Sequence, residues 1–63
     1  MLIRDRHLRL MGATKETRRA CKRLGIRIAW TQAGYAMDGI ITARGLTAAQ
    51  VLRFIDAADK GRK

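Results

Sequence analysis

Five cations crowd one stretch of the chain: Lys15, Arg18, Arg19, Lys22 and Arg23. Wound as a helix at about 100° per residue, they gather on one side, with no anion among them. Ala13, Thr17, Ala20, Cys21 and Leu24 gather on the other. The chemistry open to such a face is anion recognition. A guanidinium offers a planar fork of donors matched to phosphate or carboxylate, and an ammonium supplies a compact point charge. Successive backbone phosphates, or guanine edges in a major groove, suit these side chains. Arg27 follows closely and extends the basic surface, and Arg4, Arg6 and Arg9 precede it as additional contacts. The competing reading is a solvated surface. Solvated faces usually mix both signs, and this one does not, so binding is favoured.

Other site chemistry is sparse. The chain has one cysteine, Cys21, and one histidine, His7. An internal disulfide is excluded, and no zinc-ligand spacing exists. There is no Walker loop, no G-x-G-x-x-G, no usefully spaced carboxylate pair and no nucleophile beside a base. No catalytic residue, metal or cofactor is expected, and the chain reads as a binder rather than an enzyme. Cys21 falls on the apolar side of its helix and reads as a small core residue. His7 reads as structural or surface, and Asp38 as a turn residue. Trp30 and Tyr35 could stack on bases if they faced outward. With three aromatics in the whole chain, core or interface use is favoured for them.

Sixty-three residues make one domain, 1–63. Fourteen Lys and Arg against five Asp and Glu give a net charge of +9. Residues 1–27 hold nine basic and two acidic side chains, so most of the excess belongs to the N-terminal half. That asymmetry implies nucleic acid, with DNA favoured, or an acidic protein surface as partner. At 48% hydrophobic the chain can pack a core, but a domain this small is marginal alone. Trp30, Tyr35, Met37 and Phe54 are large apolar residues for so small a core. They predict a homodimer through part of a hairpin or the C-terminal helix. No apolar run approaches the roughly 20 residues of a membrane helix. The start turns charged at Arg4-Asp5-Arg6, unlike a signal peptide. With a free cysteine, a soluble cytoplasmic protein is expected.

The elements that must position the cations are punctuated by glycine. Residues 1–11 fit a helix, with Ile3, His7, Leu10 and Met11 on one face, or a strand, with Leu8 and Leu10 inward. Gly12 ends either one. Residues 14–24 form a helix capped by Thr14 and stopped at Leu24-Gly25-Ile26. Residues 26–30 alternate as a strand, 31–34 turn, and 35–42 return as the second strand of a hairpin. Asp38-Gly39 marks a bulge or a second tight turn within that return. Residues 47–59 form a helix with a Thr47/Gln50 capping box and a Leu46/Val51 staple. Its core face is Ala48, Val51, Leu52, Ile55 and Ala58, with Phe54 at the edge, and Asp56 and Lys60 form an i,i+4 pair. Gly61-Arg62-Lys63 is a basic tail. The class is α+β, a small two-layer domain in the order helix-or-strand, helix, hairpin, helix.

If residues 1–11 are helical, this order is similar to that of winged helix-turn-helix DNA binders, with residues 14–24 as the reading helix. The similarity is one of architecture and implies a DNA-binding regulator or accessory factor. The rival expectation is a regulator or inhibitor of phage or mobile-element type. It would dock its arginines on an acidic surface of a larger protein, such as a nucleic-acid enzyme. A subunit of a nucleoprotein assembly is a third reading.

Overall fold

A computed structural model describes residues 3–39 and 41–61. Met1 and Leu2 of the N-terminal segment, Ile40 of the expected return strand, and Arg62 and Lys63 of the basic tail lie outside the described residues. The elements run α1 (Asp5–Leu10), α2 (Lys15–Leu24), β1 (Arg27–Thr31), β2 (Gly34–Asp38), β3 (Ala43–Leu46) and α3 (Ala48–Lys60). The class is α+β, with three strands in antiparallel order β1-β2-β3.

The ambiguous N-terminal segment is a helix from Asp5 onward. Ahead of it, the Ile3 N–H donates to the Ile28 carbonyl of β1 at 2.7 Å, a strand-like bond. The expected apolar face of α1 was misplaced by this late start. Leu8 is the buried residue, and Leu10 is 83% exposed. Six residues make fewer than two turns, so α1 has room for one inward side chain.

The first two helices end in the same way. The Ile26 N–H reaches the Cys21 carbonyl and the Gly25 N–H that of Lys22, both at 3.3 Å, with Gly25 at φ 69°. That pair of bonds is the Schellman motif, and its left-handed residue is why glycine stands there. In α1 the Ala13 N–H bonds Leu8 and the Gly12 N–H bonds Arg9, at 3.0 and 3.1 Å. At the start of α2, the Thr14 hydroxyl accepts from the Thr17 N–H at 3.2 Å.

The hairpin has the expected facing pair, Trp30 opposite Tyr35. Their rings meet edge to face with centroids 4.8 Å apart. The return does not run on to Thr42 as one strand. The Asp38 carboxylate accepts from its neighbour Gly39 N–H at 3.0 Å and from the Thr42 hydroxyl at 3.4 Å. Those bonds tie a second turn, and the chain comes back as β3. Tyr35 pairs with Leu46 and Met37 with Ala43, so one residue of β2 faces two of β3. The bulge takes up the extra residue at Arg44-Gly45.

One apolar cluster joins all the layers. Leu8, Ala20, Cys21, Val51 and Ile55 from the helices meet Ile28, Met37 and Leu46 from the sheet. The capping box of α3 forms as expected. The Gln50 side chain accepts from the Thr47 N–H at 2.9 Å, and the Thr47 hydroxyl accepts from the Gln50 N–H at 3.2 Å. Val51 and Ile55 have no exposed surface, whereas Leu52 is only half-buried. Asp56 is not the partner of Lys60. It accepts a bond from Thr17 of α2 at 2.9 Å, a partner on another helix that helix spacing alone does not reveal. Met37, expected to help form a dimer surface, is instead in the core.

Candidate nucleic-acid interface

Helix α2 is held from both sides, and that decides which cations stay free. Its inner face carries Thr17, Ala20 and Cys21, all buried. Small residues there let α2 approach α3 closely. Two bonds lock the approach: Thr17 Oγ1 donates to Asp56 Oδ1, and Arg23 Nη2 to Asp59 Oδ1 at 2.7 Å. The Thr17 end of the first bond is buried, whereas both ends of the ion pair are partly exposed, so the Thr17 bond carries more of the lock.

The other face runs along a shallow cleft between α1 and α2. Lys15, Arg18, Arg19 and Lys22 line it together with Asp5. Their spacing, i, i+3, i+4 and i+7, makes one continuous stripe. Arg18 is 19% exposed, and its Nε lies 3.7 Å from Asp5 Oδ1. Lys15, Arg19 and Lys22 are exposed, and among the described residues no acid lies within ion-pairing distance of them.

The five-cation face read from the sequence therefore divides. Four members share the cleft, and Arg23 turns away to α3. Arg4, Arg6 and Arg9 are exposed on or beside α1 but do not line the cleft. The residue that α1 contributes there is acidic. Arg27 lies beyond the α2 cap, at the start of β1, on a different surface. Asp5 and Asp59 were not foreseen as partners. Asp59 follows Asp56 by three residues on α3, so both lie on one side of that helix, and that spacing was the available signal. Asp5, between two arginines, gave no such signal.

Cys21 is a free, buried cysteine. Its Sγ lies 3.7 Å from the Ile26 carbonyl as a weak donor. Burial, and then the nearby Asp5 carboxylate, push its thiol upward from the ordinary value, away from the reactive thiolate. His7 uses Nδ1 to accept from the Arg4 N–H at 3.4 Å, a local helix-start contact. Among the described residues, no group of histidine, cysteine and carboxylate side chains is placed to hold a metal ion.

No family model, curated protein or solved structure matches the chain. The cleft's own charge and geometry are what bear on its use. Among the described residues, no helix is long and apolar enough to cross a membrane.

Proposed function

We propose that this chain is a small nucleic-acid-binding protein, a DNA-binding regulator or accessory factor that works through the exposed face of α2. The observation that carries the reading is the stripe of Lys15, Arg18, Arg19 and Lys22 along one cleft, three of them with no acid in ion-pairing distance among the described residues. Cations this close repel one another, which costs the free protein stability, and an anionic ligand relieves the strain. Phosphates repeat along a backbone as these side chains repeat along a helix, so one strand can satisfy several at once. An α-helix also fits the width of the DNA major groove, where Arg19 could reach guanine edges while Arg18 and the lysines hold phosphate. The hairpin after α2 then stands beside the duplex, in an order similar to that of winged helix-turn-helix proteins.

The test is fluorescence anisotropy with random duplex DNA and duplex RNA across a potassium chloride series. Affinity should fall steeply with salt, along a counterion-release line. The K15E/R19E/K22E variant should lose binding and melt no lower than the wild type by circular dichroism. Absence of wild-type binding at low salt would overturn the reading and turn the search to an acidic protein partner.

A further inference from the structure

The outer face of the sheet carries a second basic surface. Side chains alternate across a strand, so Ile28 and Met37 point to the helices while Arg27, Ala29, Ala36 and Asp38 point away. Leu8 of α1, Ala20 and Cys21 of α2, and Val51 and Ile55 of α3 all share the cluster with Ile28 and Met37. Among the described residues, no helix therefore packs on the outer side. Arg44 joins that side, because its neighbour Ala43 is the residue paired with Met37. The result is a shallow depression rimmed by Arg27, Asp38, Thr42 and Arg44, with Ala29 and Ala36 in its floor.

Two arginines and one aspartate leave this face with a small positive excess. Arg27 is the cross-strand partner of Asp38, a position where opposite charges normally pair. Here Asp38 Oδ1 accepts from the Gly39 N–H and the Thr42 hydroxyl, and its charge stays on this face beside the two arginines. Among the described residues, neither Arg27 nor Arg44 has an acid within ion-pairing distance. Ala29 and Ala36 face each other directly and keep this part of the surface low, while Asp38 of the central strand stands opposite Arg27. Arg27 and Arg44 stand on the two edge strands, about 10 Å apart across the sheet at two strand spacings, and are offset along it, since Arg27 is level with Asp38 and Arg44 lies past the Ala43–Met37 pair. Each can meet a phosphate of its own.

We propose that this outer sheet face is a second phosphate-binding surface, which holds a separate stretch of nucleic-acid backbone through Arg27 and Arg44. The inference rests on the nucleic-acid reading of α2 but concerns another surface. The α2 cleft belongs to the helical layer, and the sheet's outer face is turned from that layer. One chain then engages two backbone segments, either by wrapping one long duplex or by bridging two.

The experiment compares the wild type, R27Q/R44Q and K15Q/R19Q/K22Q on a long duplex across a salt series. Losing two phosphate contacts should make the slope of log K against log salt shallower by about 1.8. An A36E variant, which adds a second carboxylate to the face that already holds Asp38, should weaken binding in the same way. Circular dichroism melts check that each variant is folded. An unchanged slope for R27Q/R44Q and A36E, with binding lost in K15Q/R19Q/K22Q, overturns the second surface and leaves the α2 reading standing. A wild type that fails to bind at low salt overturns both. If R27Q/R44Q alters only sedimentation of the free protein, the face is a self-association surface and the inference fails.

Discussion

Asp5 Oδ1 lies 3.7 Å from Arg18 Nε, which places a carboxylate inside the basic cleft where a ligand phosphate would sit. Asp5 is 76% exposed and Arg18 only 19%. The acid is thus free to leave, whereas the arginine is held by its surroundings. On the proposed nucleic-acid reading, Asp5 would compete weakly with a phosphate for Arg18.

Asp5→Asn should therefore tighten nucleic-acid binding. It removes a repulsive charge and releases Arg18 for one more phosphate, so the salt slope should steepen by about 0.9. In an Arg18→Gln background the gain should largely vanish, because the released partner is gone. Anisotropy titrations of the four proteins decide this. Equal affinities for wild type and D5N would remove Asp5 from the binding account.

Arg23 is predicted to matter for stability more than for binding. Its bond to Asp59 joins α2 to α3, but both side chains are partly exposed. Arg23→Ala should cost about 0.2–1 kcal/mol, in the range of exposed pairs. Urea melts of R23A, D59A and the double variant measure the coupling. Nucleic-acid affinity of R23A should fall less than that of R19A, and the reverse order would show that Arg23 swings outward to the ligand.

Val51 and Ile55 should be the most sensitive core positions. Each is wholly buried where α3 meets the sheet and α2. Ile55→Ala should cost about 2–5 kcal/mol, enough to unfold a domain this small. Leu52→Ala should cost clearly less, because Leu52 is half-buried. Thermal melts that place L52A below I55A would show that the packing of α3 is rotated from the one described.

Alkaline pH should weaken the fold through Cys21. Burial first, then Asp5, raise its thiol above the ordinary value in the native state. The native protein thus holds the thiol proton more tightly than the unfolded chain does. The stabilisation is complete below the unfolded thiol's pKa and is lost as pH climbs through the raised native one. Urea midpoints should fall on that alkaline side, and Cys21→Ala should flatten the decline. A thiol-reactive disulfide reagent should modify Cys21 slowly in the native protein and quickly in denaturant. Fast native modification would contradict the burial.

Local signals in the sequence were sufficient for much of this fold. Thr14 as a cap, Leu24-Gly25-Ile26 as a stop, the Thr47/Gln50 box and the Trp30–Tyr35 pair all depend on residues close in the chain. Their geometry is set by hydrogen bonds spanning a few positions, which a linear pattern records. The cationic stripe of α2 was visible for the same reason, since helical periodicity alone brings Lys15, Arg18, Arg19 and Lys22 together. Tertiary structure decided what charge remains available. Arg23 meets Asp59 across 36 positions, Thr17 meets Asp56 across 39, and Asp5 reaches Arg18 from another helix. Only the packing of α1 and α3 against α2 brings those pairs within range. The outer sheet face was hidden for a related reason: Arg44 lies on β3, a strand that exists because the Asp38 turn breaks the expected return. Coulombic and hydrogen-bonding partners depend on distance in space, and a sequence pattern reports that distance only within a single element.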